Sequence, residues 1–223
     1  MEIIGLKDGN EKIARRDEDG AGFFRITDLK QGVKNPNRVN VFLNGKYEFS
    51  LDVSQVVDLK VKIGREITEA ELKELKKASK FGKLYQRALE WVLIRPRSER
   101  EVRDYLLRKS EDIFDFSDKI VERLARRGYL NDRKFAEYYV ENRFVKKGVS
   151  RRRLEMELLK KGVSRDIIQE VLSESNRNDE AEILKIIKKK RAKYDDERLI
   201  QYLCRQGFSY SLAQNLVRSY EKD

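Results

Sequence analysis

The stretch SRRRLEMELLKKGVSRDIIQEVL, residues 150–172, predicts two short amphipathic helices joined at Gly162. A serine hydroxyl can accept hydrogen bonds from the free amides of a first helical turn, so Ser150 and Ser164 are predicted N-caps. Leu154 and the leucine four residues after it share one face of the first helix. Gly162 supplies the left-handed conformation that commonly ends a helix. The stretch therefore indicates a helix pair with one buried side.

The same spacing occurs three times along the chain. Positions are counted in each repeat from the cap of its first helix. Four residues after the cap stand Val102, Leu154 and Leu199, and eight residues after it stand Leu106, Leu158 and Leu203. Nine residues after the cap stand Leu107, Leu159 and Cys204. Twelve residues after the cap stand Ser110, Gly162 and Gly207. The caps of the second helix, Ser117, Ser164 and Ser209, are 47 and 45 residues apart. Such a period is typical of helical repeat arrays, so we expect three tandem repeats.

Composition restricts the class of protein further. The chain has 223 residues, is 40% charged and 39% hydrophobic, and carries a net charge of +11. Its one cysteine, Cys204, falls in an apolar column, which argues against a disulfide framework. No apolar run approaches the roughly 20 residues of a membrane span, and the start does not resemble a signal peptide. We therefore expect a cytoplasmic protein that does not enter a membrane.

The positive charge lies mainly in the helical part. Residues 1–82 have a net charge of +2 and residues 83–223 a net charge of +9. A field of this sign favours a polyanion, most simply nucleic acid. A heavily charged, soluble helical surface of the kind common in thermophiles explains the same numbers. Charge alone leaves both interpretations open.

The pattern predicts a mainly α fold of three tandem three-helix repeats behind a small N-terminal β-rich domain. The clearest β signal is a hairpin in which Asn44-Gly45 forms the turn between two alternating strands. We expect residues 61–82 to form a mostly exposed helical connector, with ordinary packing against the hairpin as the alternative. The predicted segments are a β-rich domain at 1–60, the connector at 61–82, and repeats at 83–130, 131–176 and 177–223.

No constellation of catalytic residues is present, so we expect neither an enzyme nor a cofactor. The sequence has no histidine, which removes the commonest general base and a common metal ligand. One cysteine cannot build a zinc site, so no metal is expected either, although the sequence leaves a site made of carboxylates alone open.

Basic residues are the remaining candidates for a binding site. Ten residues after each cap lies a cation, although a helix dipole also favours positive charge at that end of a helix. Three arginines in one first helical turn are not explained by the dipole, and they favour a polyanion or an acidic partner. The candidate binding residues are Arg108, Lys146, Lys147, Arg151, Arg152, Arg153, Lys160, Lys161, Lys188, Lys189, Lys190, Arg191 and Arg205.

Several runs, taken together and in order, resemble the RecX family of recombination regulators. These are RPRSEREVRDYL at 95–106, GYLNDRKFA at 128–136, KG at 147–148, KGV at 161–163, and RVNVFLNGKYEFSL at 38–51, which looks like the β segment of longer members. The first repeat departs from the family pattern, since Ser110 stands where the repeats usually end in glycine. The resemblance covers roughly residues 38–221.

The resemblance implies a monomeric modulator of RecA with an elongated, curved array of three-helix repeats. Such a protein lies in the groove of the RecA–DNA filament and represses its ATPase, strand-exchange and co-protease activities, and so regulates recombination, DNA repair and the SOS response. Weak, non-specific contacts with single- and double-stranded DNA would accompany filament binding. Two alternatives stay open: a DNA-binding protein that acts without RecA through helix-turn-helix-like units, and a helical protein–protein scaffold.

Overall fold

The computed structural model describes residues 15–16, 22–33, 35–109, 114–145 and 147–220. They divide between two compact units, residues 1–87 and 88–223. The strands are β1 (Arg15–Arg16), β2 (Gly22–Gln31), β3 (Arg38–Leu43), β4 (Lys46–Asp52) and β5 (Glu66–Thr68). The helices are α1 (Val53–Asp58), α2 (Glu69–Ile94), α3 (Glu99–Leu107), α4 (Phe114–Arg126), α5 (Asp132–Asn142), α6 (Arg151–Lys160), α7 (Arg165–Glu174), α8 (Asp179–Lys190), α9 (Asp196–Arg205) and α10 (Tyr210–Ser219).

The first unit is built on an antiparallel sheet. Strands β1 to β4 pair in order, and β5 adds to β2. The predicted hairpin is confirmed, since Asn44 and Gly45 have φ values of 49° and 82°. These two positive values are the requirement of the turn type that Asn-Gly favours. The hairpin contributes Val41 and Leu51, both fully buried, to the core of the unit.

Residues 61–82 do not form the exposed connector that the sequence predicted. They include β5, and Ile67 within that strand is fully buried. Leu72 and Leu75, three residues apart on α2, belong to the same core as the hairpin. A capping box begins α2: Glu71 accepts from the Thr68 amide at 2.8 Å, and the Thr68 hydroxyl accepts from the Glu71 amide at 3.2 Å. The face of α2 that carries these leucines has few apolar residues, but they are sufficient to pack against the sheet.

The helical unit confirms the main apolar columns. The residues four and eight after each cap, such as Leu154 and Leu158 on α6, are fully buried in every repeat. The column nine residues after the cap lies at the edge of the core: Leu107 is 38% exposed, and Cys204 is only partly buried. Position nine lies about 100° around the helix from position eight, because a helix has about 3.6 residues per turn.

One predicted helix cap is wrong. Ser117 lies inside α4 and is buried, because this helix already begins at Phe114. The interval from Ser110 to Ser117 is five residues longer than the matching intervals from Gly162 to Ser164 and from Gly207 to Ser209. The helix begins within this longer interval. Ser110, the position that departs from the glycine pattern, lies outside the described residues.

A buried serine joins the first repeat to the second. The Ser98 hydroxyl accepts a hydrogen bond from the Glu101 amide at 3.1 Å, as an N-cap does. The same hydroxyl donates to the carbonyl of Lys161, at the end of α6, at 2.7 Å. Next to it, the Glu99 amide donates to the Asp132 carboxylate at 3.0 Å. The start of α3 is therefore hydrogen-bonded to the start of α5 and to the end of α6.

The second junction repeats the first with the same two side-chain types, a serine and an aspartate. Ser150 is fully buried, accepts from the Arg153 amide at 3.2 Å and donates to the Gln206 carbonyl at 2.8 Å. The Arg151 amide donates to the Asp179 carboxylate at 2.8 Å. The two junctions thus share one hydrogen-bond pattern between successive repeats.

The third repeat has a carboxylate at the same cap. Asp195 accepts from the Arg198 amide at 2.8 Å and is exposed to solvent. It occupies the position that Ser98 and Ser150 hold in the first two repeats.

The glycines that end α6 and α9 are required for two reasons. Gly162 and Gly207 have φ values of 83° and 92°, in the left-handed region that favours glycine. A Cβ at Gly162 would lie 2.8 Å from the Cβ of Arg100, and one at Gly207 would lie 2.7 Å from the Ser150 hydroxyl. Any side chain at either position would push the junction apart.

We predict that Ser150→Ala lowers the free energy of unfolding by about 1–3 kcal/mol, because the helix cap is lost and the partly buried Gln206 carbonyl loses its donor. Urea unfolding would measure this. Ser209→Ala is the matched control, since Ser209 is an exposed N-cap without a side-chain cap hydrogen bond, and its effect should stay near zero. Equal losses in the two variants would contradict a special role for the junction.

Candidate polyanion-binding surface

One surface cation recurs at the same place in each repeat. Arg108, Lys160 and Arg205 lie at the ends of α3, α6 and α9, ten residues after their caps. All three side chains are exposed, and none forms a hydrogen bond or ion pair with another described residue. The basic column predicted from the sequence is therefore free to bind an anion. Because the helix dipole favours a cation at this end, the arrangement is also stable without a ligand.

Two of the three arginines in the first turn of α6 form hydrogen bonds with other residues of the protein. Arg151 donates to the carbonyl of Arg177 at 3.1 Å. Arg153 donates to Glu157 at 3.1 Å and also to the side chain of Gln206. Arg152 alone of the triad is exposed and has no partner among the described residues. The structure therefore leaves one of the three arginines available to an anion.

The other predicted cations also include both exposed side chains and side chains that are paired within the protein. Lys146 lies outside the described residues, and Lys147 is exposed. Lys161 is ion-paired with Glu101 at 2.5 Å, so it belongs to the first junction.

The lysines at the end of α8 also separate into two groups. Lys188 and Lys189 are exposed. Lys190 lies over the Tyr202 ring, 4.4 Å from its centroid. Arg191 pairs with Asp196 at 2.9 Å. The patch predicted from four consecutive cations therefore presents two of them to solvent.

Sequence reasoning missed a charged cluster that holds α5 against α6. Glu157 accepts hydrogen bonds from Arg143 at 2.8 Å, Tyr139 at 2.7 Å and Arg153 at 3.1 Å. Arg143 also lies over the Phe144 ring, 3.6 Å from its centroid. Four-residue spacing between Arg153 and Glu157 was a signal for part of this cluster. The contacts from α5 could not be foreseen, because they depend on how two helices pack.

The cluster changes the titration of its members. Burial raises the pKa of Tyr139, and the hydrogen bond to Glu157 raises it further, to about 12. Burial alone would raise the pKa of Glu157 as well. Hydrogen bonds from Arg143, Tyr139 and Arg153 outweigh that effect and lower the pKa of Glu157 to about 2. Glu157 is therefore ionised at neutral pH and compensates part of the local positive charge.

The described residues contain no group of three or more histidine, cysteine, aspartate or glutamate side chains placed to hold a metal ion. None of their helices combines the length and the apolar character needed to cross a lipid bilayer.

An N-terminal β unit and tandem three-helix repeats, with an exposed cation at the corresponding position of each repeat, define a modular helical-repeat protein. Two family models match the chain. One describes the RecX second three-helix domain and covers residues 131–172; the other describes the N-terminal domain of regulatory protein RecX and covers residues 24–68.

Curated relatives support the same family over most of the chain. Regulatory protein RecX of Listeria monocytogenes serotype 4a is 34% identical over 201 residues, which are 86% of this chain and 74% of that protein. Regulatory protein RecX of Bacillus velezensis is 33% identical over 208 residues, which are 89% and 79% of the two chains. The chain belongs to the RecX family of regulatory proteins.

Solved structures agree in fold. A crystal structure of regulatory protein RecX matches with a TM-score of 0.66 at 21% identity, over 88% of this chain and all of the other. RecX from Lactobacillus salivarius matches with a TM-score of 0.51 at 24% identity, over 62% and 94% of the two chains.

We predict that the stability cost of Glu157→Gln depends on pH. The folded pKa of about 2 lies below the usual 4.5, so the stabilising effect of ionised Glu157 is complete above pH 4.5 and is lost as the pH falls towards 2. At pH 7 the substitution should cost about 1–3 kcal/mol, since it weakens hydrogen bonds to a charged acceptor. Urea unfolding from pH 7 to pH 2.5 would measure the difference.

The control for this experiment is Glu155→Gln on the same helix. Glu155 forms one long hydrogen bond, with Gln169 at 3.3 Å, so its cost should be small at every pH. A cost for Glu157→Gln that does not change with pH would show that packing, rather than charge, accounts for the effect.

Proposed function

We propose that this protein restrains RecA by binding in the groove of the RecA–DNA filament, where it inhibits ATP hydrolysis and strand exchange. The observation that carries the proposal is the free cation at one position in every repeat, found in a member of the RecX family of regulatory proteins. A filament presents the same surface at regular intervals. A repeat protein with one binding group per repeat is suited to such a partner.

Single surface cations bind weakly, so the number of contacts matters. An exposed ion pair contributes about 0–1 kcal/mol, because water and salt screen it and two long side chains lose freedom. Linked contacts gain from high effective concentration, since each contact after the first forms within one complex. Arg108, Lys160 and Arg205 would thus hold the protein firmly only where successive anionic sites lie at the spacing of the repeats. This requirement favours a filament over free protein.

Contact with neighbouring protomers explains inhibition in physical terms. A ligand shifts a conformational equilibrium only by the difference in its affinity for the two states. A chain that contacts several protomers at once has its full affinity for the filament geometry in which all contacts form. Steps that change that geometry, as a hydrolysis cycle or an exchange of strands requires, would then be slowed.

The second helix of the central pair is poorly suited to recognising a DNA sequence. In a helix-turn-helix protein the second helix enters the major groove and needs side chains that reach base edges. The second helix of the central pair, α7, carries Arg165 as its one cation together with Asp166, Glu170 and Glu174. Its negative charge opposes entry between two phosphate backbones.

We predict loss of RecA's single-strand-dependent ATP hydrolysis when the protein is added below one copy per RecA, with DNA in excess. Action on the filament gives inhibition that added DNA does not relieve. Inhibition cured by more DNA would instead indicate competition for DNA and favour the RecA-independent binder. No inhibition at equimolar protein would contradict the proposal. Hydrolysis by the protein alone is the background control.

We further predict that Arg108→Gln/Lys160→Gln/Arg205→Gln raises the concentration needed for half-inhibition at least tenfold. Direct binding to single-stranded DNA should lose about 0.7 units of salt slope for each phosphate contact removed. The matched control is Lys119→Gln/Arg165→Gln/Lys193→Gln, which removes the same charge from exposed positions outside the column, one in each repeat. Equal effects of the two triple variants would show that net charge, rather than the column, carries binding.

A further inference from the structure

A cleft of about 340 Å³ in the helical unit takes no part in the basic column. It lies where α2 ends and where the chain passes from α4 to α5. Leu93 and Ile94 line it from the last turn of α2, and Tyr129 lines it from the connection before α5. The neighbouring cations on its wall are Arg95, Arg97 and Lys134.

The apolar side chains of this cleft face water. Leu93 is 64% exposed, Ile94 is 76% exposed and Tyr129 is 43% exposed. Burial of apolar surface stabilises a complex in proportion to the area removed from water, so two adjacent aliphatic side chains and a ring can contribute substantially to binding. An isolated exposed leucine needs no explanation, whereas a group of large apolar side chains lining one cleft marks an interaction site.

The charge of the cleft has one sign. Its lining includes three cations and no carboxylate. Arg95 forms an ion pair with Glu101 at 3.2 Å, while the Lys134 side chain is exposed and unpaired among the described residues. The guanidinium of Arg97 lies over the Trp91 ring, 3.8 Å from its centroid, and its Nε has no hydrogen-bond partner. Burial, and then the charge of Arg95, lowers the pKa of Arg97, as expected where positive charge is not fully compensated.

We propose that this cleft docks an acidic protein segment in which a bulky apolar side chain is flanked by carboxylates. The apolar side chain would cover Leu93, Ile94 and Tyr129, and the carboxylates would pair with Arg97 and Lys134. Two aliphatic side chains favour a protein over nucleic acid, because bases bind by stacking on rings and phosphates gain nothing from aliphatic surface. The inference goes beyond the proposed function, since it assigns a protein-binding site that the basic column does not require.

The protein contains its own reporter for this site. Trp91 is the single tryptophan of the chain. Its ring stacks on Tyr105 with centroids 4.4 Å apart and planes 9° apart, and Arg97 covers it as well. A carboxylate that binds Arg97 would draw the guanidinium away from the ring or reorient it. Docking should therefore change Trp91 emission.

The test is selection of peptides from a random 12-residue phage library on the full-length protein. We expect sequences with a bulky apolar residue between acidic residues to be enriched. The same sequences, made as synthetic peptides, should change Trp91 fluorescence on titration. Leu93→Ser/Ile94→Ser should weaken their binding at least tenfold, and Lys134→Glu should weaken it several-fold.

The control variant is Met156→Ser/Leu184→Ser. These side chains are 49% and 40% exposed, so the variant removes comparable exposed apolar surface away from the cleft, and peptide binding should be unchanged. No enrichment above that on Leu93→Ser/Ile94→Ser, or enrichment of sequences without carboxylates, would overturn the proposal. A tenfold loss of affinity for a 30-nucleotide single strand in the same double variant would assign the cleft to nucleic acid instead.

Discussion

A serine hydroxyl can accept one hydrogen bond and donate another, and the helical unit uses both capacities at each junction. Ser98 and Ser150 accept from the first turn of their own helix and donate to a carbonyl of the next repeat. Both residues are fully buried, so water cannot replace a lost partner. One group thus sets where a helix begins and how the following repeat is placed against it. The neighbouring glycines allow the approach, because any Cβ would meet the opposite chain.

The same junctions position the candidate binding residues. The carbonyls that accept from the serines belong to Lys161 and Gln206, each one residue after a cation of the column. The bond that fixes the end of α6 or α9 therefore also fixes the base of the Lys160 or Arg205 side chain. A regular interval between surface charges follows from a regular interval between buried hydrogen bonds. Core and surface share one period because the same helix ends serve both.

Periodicity predicted the repeats, the fully buried columns and the hairpin, since each rests on local spacing. The same local signal showed that serine accepts at a helix start, but it could not show the long-range donation of its proton. Spacing also failed at Ser117, where extra residues moved the helix start, and at 61–82, where a thin apolar face packs on the sheet. Among the candidate basic residues, Arg108, Lys160 and Arg205 are exposed, whereas Arg151 and Arg153 bond to residues distant in sequence. Local spacing could not show those long-range bonds, and whether any of these residues binds a partner stays a prediction.

The third repeat carries Asp195 where the first two have serine. A carboxylate caps its own helix as well as a hydroxyl does, but it has no proton to give to a carbonyl. A further repeat, or the start of a second molecule, brought against this face in the same way would meet two acceptors in place of a donor and an acceptor. Such a contact would therefore be less favourable than the junctions at Ser98 and Ser150. One change of side chain thus leaves the helix cap intact and removes the donor on which the other two junctions depend.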